Sequence, residues 1–176
     1  MNNGLDKKLK KILGETILDE QMVVLEQLRE ARYDEDIAEE LSQKAVTIRK
    51  LLNELHDKDL VQYVRTKNPK TGWYTYVWDR RDDKILEYSR NYLGNKISEI
   101  EDKLFYEQNN LMFVCACKDR YVPMTYAMEN NFHCGECNNY FTEFDNSNVI
   151  EGLEKSKKKL NADIKKINKI EIQKEN

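Results

Sequence analysis

The chain has 176 residues, 35 % of them charged and 40 % apolar, and a formal net charge of −3. That length holds one ordinary domain or two small ones, and its acidic balance argues against a protein that grips duplex DNA alone through many phosphates. No stretch is apolar for long enough to span a bilayer, and the N-terminus lacks the apolar core of a signal peptide. A cytoplasmic protein with no membrane partner is expected, and its four cysteines then point to metal or redox chemistry rather than structural disulfides.

In chain order, Leu5, Leu9, Ile12 and Leu13 form a short helical stripe that ends near Gly14. Met22, Leu25, Leu28 and Ala31 form the next, read as the first helix of a three-helix core. Asp34 is placed to cap a third helix, with Glu35 and Asp36 in its first turn and Ile37, Ala38 and Leu41 on its apolar face. A tight corner at Ser42, Gln43 and Lys44 leads to a fourth helix with Ile48, Leu51, Leu52 and Leu55 at i, i+3, i+4, i+7 spacing. Two β-rich runs, 60–65 and 73–78, flank a polar turn that holds Pro69 and Gly72. Helix, corner, helix and hairpin is the order of a winged helix, assigned to residues 1–81.

Residues 82–110 read as a connector helix. Leu86, Leu93, Ile97, Ile100 and Leu104 make a heptad-like seam that Gly94 weakens by about 1 kcal/mol relative to Ala. So few heptads favour packing within the chain over a dimer. Residues 111–145 are rich in aromatics and cysteines and read as a second, very small domain. Residues 146–176 form a tail with Lys155, Lys157, Lys158, Lys159, Lys165, Lys166 and Lys169. It is read as a solvated end, with a basic arm for nucleic acid or an acidic partner as the functional alternative. The fold class is therefore α+β: winged helix, connector helix, then a zinc ribbon.

The ribbon rests on the cysteines. Cys134 and Cys137 are a C-x-x-C knuckle, and Cys115 and Cys117 stand where a second knuckle belongs. Four thiolates suit one structural zinc in a closed tetrahedral site, whose binding is also folding energy for so small a domain. Cys115-Ala116-Cys117 is a residue short of a full knuckle, so fewer amides reach its sulfurs and a looser hold on the metal is expected. Lys118 and Asn138 occupy the positions after each pair, where φ > 0 is needed, and Asn tolerates that region better than Lys. His133 is read as a bystander.

The outer face of the fourth helix should carry Gln43, Val46, Lys50, Asn53, Glu54 and Asp57, whose carboxylates repel phosphates and argue against base reading. The wing differs. Arg65, Lys67 and Lys70 interleave with Tyr63, Trp73, Tyr74, Tyr76 and Trp78, and no acid lies among them. Cations beside rings suit single-stranded nucleic acid. Alternation places Trp73, Thr75 and Val77 on one face and Tyr74, Tyr76 and Trp78 on the other, one face being core. Arg65, Lys67, Lys70, Trp73 and Tyr74 are the candidate contacts, Trp73 the best exposed ring, with Arg80 and Arg81 as extensions. No phosphate loop, nucleophile triad or HExxH motif is present, so a non-enzyme is expected.

Glu39-Glu40-Leu41-Ser42 leading into Thr47-Ile48-Arg49-Lys50-Leu51-Leu52, a wing of Thr71-Gly72-Trp73-Tyr74-Thr75-Tyr76-Val77-Trp78, and then a connector helix and a ribbon together resemble the archaeal transcription factor E family. That family is the counterpart of the alpha subunit of eukaryotic general transcription factor IIE. The resemblance implies a monomeric basal initiation factor that joins the archaeal RNA polymerase preinitiation complex. Such a factor would bind the clamp and stalk subunits, assist TATA-binding protein and transcription factor B, and promote opening near the non-template strand of promoter DNA. The C-x-C pair departs from the family's usual C-x-x-C. The competing expectation is a stand-alone winged-helix repressor that dimerises through the Leu86–Leu104 seam and carries a metal- or redox-sensing ribbon.

Overall fold

A computed structural model describes residues 5–67, 72, 74–117 and 120–175. The chain divides into two compact units, one comprising residues up to Asn91 with those from Lys169 onward, the other Tyr92–Asn168. In the first unit, α1 (Lys7–Leu13), α2 (Asp19–Gln27), β1 (Arg32–Tyr33), α3 (Asp34–Glu40) and α4 (Ala45–Asp57) precede the hairpin of β2 (Val61–Lys67) and β3 (Tyr74–Arg80). The long α5 (Asp82–Asn109) begins here. The sheet has the order β1-β3-β2 and is antiparallel throughout. Its core is aliphatic: Leu13, Leu25, Leu28, Ile37, Ile48, Leu52, Leu55, Leu60 and Ile85 are fully buried, each such side chain stabilising the fold by about 1.5–3 kcal/mol. The corner between α3 and α4 closes without glycine. Ser42 takes φ 51°, and Gln43 N–H donates to the Ala38 carbonyl at 2.9 Å.

Two helix assignments change. The buried face of α2 is Gln21, Val24 and Leu25, with Leu28 as its C-cap, so Met22 is only half-buried and Ala31 is exposed outside the helix. Asp34 does not cap α3. Tyr33 pairs with Val77 across the sheet and keeps the extended backbone that makes it the N-cap. This leaves Asp34 as the first helical residue, buried, with its carboxylate accepting from Arg49.

The second unit holds the rest of α5, then β4 (Met112–Cys115), β5 (Tyr121–Pro123), α6 (Met124–Glu129), β6 (Phe141–Phe144) and α7 (Ser147–Glu175) as far as Asn168. The strands form an antiparallel sheet in the order β5-β4-β6. Its small core comprises Cys115, Val122, Ala127, Cys134 and Phe141, with Phe113, Tyr126 and Phe132 packed against it. The lysine-rich segment lies on α7, which Asp145 opens by accepting from the Ser147 N–H and hydroxyl at 3.0 and 2.5 Å. These bonds hold the Asp145 carboxyl below its ordinary pKa. Asn146 Nδ2 donates to the Glu107 carbonyl at 2.9 Å, and Lys157 pairs with Glu101 at 2.8 Å. Within this unit α7 therefore runs antiparallel to α5.

On α5 the seam positions Leu86, Leu93 and Leu104 are buried, while Ile97 and Ile100 are half-buried. A Cβ added at Gly94 would meet nothing within 4 Å. Gly94→Ala is therefore expected to stabilise the protein by about 0.5–1 kcal/mol, read as a raised midpoint in thermal unfolding. An unchanged or lowered midpoint would show that this glycine serves something other than helix continuity.

Candidate metal centre and nucleic-acid face

The second unit brings its four thiols together. β4 delivers Cys115 at its last position, Cys117 follows in the turn, and Cys134 and Cys137 come from the loop between α6 and β6. All four Sγ atoms lie within 4.8 Å of one another, and those of Cys115 and Cys137 are 3.1 Å apart. Zinc–sulfur bonds of about 2.3 Å in a tetrahedron put sulfurs about 3.8 Å apart, so the cluster has the dimensions of one ion. Cys115 and Cys134 are buried, while Cys117 and Cys137 are half-buried.

The chain prepares these sulfurs unequally. Backbone N–H groups of Cys137 and Glu136 point at Cys134 and lower its pKa. A hydrogen bond from Cys115 pushes the Cys137 thiol down to about 6, helped by the Asn139 N–H. Burial pushes Cys115 up to about 12 against a single N–H from Cys117. Asn138 takes φ 57° after the second knuckle and donates its N–H to the Cys134 carbonyl at 2.8 Å. Asn138→Ala should cost about 1 kcal/mol and Asn138→Gly almost nothing. Equal unfolding midpoints for the two variants would contradict that reading. Lys118 lies outside the described residues. His133 is not among the clustered ligands: its Nδ1 is 2.8 Å from the Asn131 carbonyl, and its ring sits 4.3 Å from that of Tyr140.

Two features here carry no signal in the sequence. Asn131 and Phe132 both take left-handed backbone, φ 50° and 58°, as the chain leaves α6 for the second knuckle. Phe132 accepts this unfavourable region while its ring packs 5.4 Å from that of Phe113. Arg120, at the foot of β5, reaches Glu136 inside the knuckle at 2.5 Å.

The wing lies in the first unit. Its register sets Tyr63 opposite Trp78, Arg65 opposite Tyr76 and Lys67 opposite Tyr74, so strand alternation puts all six side chains on one face. The rings form a connected series: His56 to Tyr63 at 5.2 Å, Tyr63 to Trp78 at 4.9 Å and Tyr63 to Tyr76 at 5.3 Å. The Arg65 guanidinium lies 4.0 Å over the Tyr74 ring. Exposure grows along the ribbon, from 3 % at Trp78 through 38 % at Tyr76 to 64 % at Tyr74. On β3 the alternation is as expected, Thr75 buried and Val77 half-buried while Tyr74 and Tyr76 opposite are open. Two residues depart from it: Trp78 is buried on the open face at the root of the ribbon, and Val64 of β2, across from Val77, is exposed. Lys70 and Trp73 lie outside the described residues.

Arg80 and Arg81 do not extend the patch. Arg80 donates to Asp82 at 2.6 Å, and Arg81 pairs with Asp59 and Asp83. Glu54 is half-buried rather than on the outer face of α4, because it accepts from Gln21 at 2.7 Å. Val46, Lys50, Asn53 and Asp57 are exposed there.

The family model described as TFIIE alpha subunit matches residues 7–109. The chain belongs to the TFIIE alpha subunit family. Transcription factor E of Methanocaldococcus jannaschii is 38 % identical over 133 residues, 75 % of this chain and 76 % of that one. Those of Saccharolobus islandicus and Saccharolobus solfataricus are 31 % and 30 % identical over 161 residues, 92 % of this chain and 91 % and 90 % of theirs. Among solved structures, a protein of Methanosarcina mazei Go1 described as a possible transcriptional regulator superposes with a TM-score of 0.48 at 15 % identity, over 58 % of this chain and 87 % of that chain. The winged-helix assignment rests on this chain's own element order and register. The family is one of transcription factors, which is not an enzyme class. Among the described residues, no helix is long and apolar enough to cross a membrane.

Proposed function

We propose that this member of the TFIIE alpha family acts as an archaeal basal initiation factor, with its wing laid against opened promoter DNA. In this reading residues 1–81 form the winged helix, 82–110 the connector, 111–145 a ribbon holding one zinc, and 146–176 the lysine-rich end. The factor joins RNA polymerase as a monomer through the clamp and stalk, assists TATA-binding protein and transcription factor B, and stabilises the bubble at the non-template strand. The observation that supports this is the wing face, a run of rings ending in exposed Tyr74 with Arg65 and Lys67 beside it and no acidic partner among the described residues. Bases stack on rings whatever their identity while cations follow the phosphates. An acidic chain with few outward donors on α4 would then depend on the polymerase to bring it to DNA.

The test is promoter opening by the reconstituted archaeal machinery on a weak promoter, with the double variant Arg65→Ala, Tyr74→Ala. Each stacked base is worth about 1–3 kcal/mol, so stimulation should fall at least about tenfold while the thermal midpoint holds. Trp73→Ala is expected to act in the same direction. Wild-type stimulation by the folded double variant would sink the wing assignment.

The four-thiol set fits zinc by ligand type, number and spacing. Cys115, Cys117, Cys134 and Cys137 would hold the ion, which would supply folding energy and no open coordination position. Elemental analysis of protein purified without chelator should find one equivalent. Metal well below that, with four readily alkylated thiols, would mean a ribbon that folds on its aromatics alone.

A further inference from the structure

The two cysteine pairs are not equal partners. The first is a residue short of a full knuckle, with the Cys117 N–H turned to Cys115. The second is a full C-x-x-C, with the N–H groups of Glu136 and Cys137 turned to Cys134 and that of Asn139 to Cys137. Four thiolates also outnumber the two charges of a bound zinc, so a loaded centre is anionic and gains from a fixed cation nearby.

One residue answers both needs. The Arg120 carbonyl accepts the Cys115 N–H at 3.1 Å, which fixes the strand end that carries the first pair. Its Nη2 donates at 2.5 Å to Glu136, inside the second knuckle, and its Nη1 lies 3.4 Å from the Tyr126 hydroxyl. The Tyr126 ring in turn packs on Phe141, which belongs to the ribbon core. The guanidinium is close enough to Cys134 to interact with its charge. Arg120 thus ties the backbone of the short pair to the loop of the full one and sets a positive charge against the knuckle that carries Cys134 and Cys137.

Resting on the zinc reading above, we infer that Arg120 is a positioning residue of the metal centre. Its cation and its clamp on Glu136 brace a centre whose first pair is a residue short of a full knuckle. The side chains of Arg120 and Glu136 are 39 % and 62 % exposed, and an ion pair so open contributes little to folding by itself. An effect read at the metal therefore separates positioning from general stability.

The test uses the full chain loaded with zinc and titrated with a chromophoric chelator. A parallel sample carries cobalt, whose thiolate absorption reports coordination by four sulfurs. Arg120→Ala is expected to lower zinc affinity by about 10–100-fold, the usual weight of an outer hydrogen-bonding partner. Arg120→Lys, which keeps the charge, should recover a large part of that loss, and Glu136→Gln should lose less than Arg120→Ala. All three should give the wild-type cobalt spectrum at saturation. An Arg120→Ala affinity within about twofold of wild type would overturn the proposal, since outer partners weigh far more than that. So would an Arg120→Lys variant no tighter than Arg120→Ala. A wild-type protein with no retained zinc and no cobalt–thiolate absorption would overturn the zinc reading instead.

Discussion

Cys134→Ser is expected to empty the metal centre and unfold the ribbon, while the winged helix keeps its own cooperative transition. Cys134 is buried to 1 % exposure at the centre of the small core and receives two of the backbone N–H bonds aimed at sulfur. Its loss leaves three thiols and a hole in a cluster whose other buried members, among the described residues, are Cys115, Val122, Ala127 and Phe141. Such a core cannot fold a sheet of three short strands alone, whereas structural zinc contributes about 10–16 kcal/mol in small metal-dependent domains. Metal content should therefore fall well below one equivalent, with loss of the near-ultraviolet signal of Tyr121, Tyr126 and Tyr140. A strong chelator should do the same to the wild type, and more readily in acid, because protons compete with the ion for thiolates. None of these side chains belongs to the core around Leu25, Ile48, Leu52 and Leu55, so the winged helix should melt as before. A Cys134→Ser protein that keeps its zinc and its tyrosine signal would mean that the remaining ligands suffice and that the ribbon's stability comes from its aromatic packing.

Much of the fold was legible because periodicity is local. Ile48, Leu51, Leu52 and Leu55 announce a helix face whatever surrounds them, and all four are buried. The cysteine spacing announces a ligand set, and the thiols do converge. What the sequence hides depends on partners distant along the chain. Glu54 looks like an outward carboxylate until Gln21 of α2 claims it. Arg80 and Arg81 look like part of a basic wing until Asp59, Asp82 and Asp83 neutralise them. Trp78 breaks strict alternation because His56 of α4 and Tyr63 pack against it at the root of the ribbon, a property of its surroundings and not of the strand. Arg120 carries no motif, since its link to Glu136 spans 16 positions. In the lysine-rich tail, Leu153, Leu160, Ile164 and Ile167 are the apolar residues at helical spacing, and of these only Ile167 is fully covered in α7.

Arg49→Met is expected to destabilise the winged helix by about 3 kcal/mol, although Arg49 stands on the helix that would read DNA in other proteins of this architecture. The reason lies in Asp34. Its carboxylate is fully buried, held by Arg49 through Nε and by the Glu35 N–H at 3.1 Å. Removing the cation leaves a buried charge with one backbone donor, a loss that runs to about 3–5 kcal/mol in dry interiors. The Arg49 side chain is 44 % exposed, so water can reach the gap and the lower end applies. The Glu35 contact at 3.3 Å joins two exposed groups and adds little.

The hydrogen bond to Asp34 is the main cause that holds the Arg49 pKa above its ordinary value. A raised cation stabilises fully below its unfolded pKa and loses that contribution only as pH climbs through the folded one, so the arginine side of the pair gives no pH dependence near neutrality. Asp34→Asn with Arg49→Met removes the buried charge together with its partner. The double variant should be more stable than Arg49→Met alone, a coupling that a double-mutant cycle in urea reads directly. The same geometry bears on function. With its guanidinium turned to α3, Arg49 offers no fork to a base edge, and Thr47, Lys50 and Asn53 are the exposed donors that α4 keeps on its outer side. A folded Arg49→Met protein should therefore bind promoter duplex no worse than wild type. A selective loss of duplex binding at unchanged stability would make α4 a reader of bases after all and shift the weight of recognition from the wing to the helix.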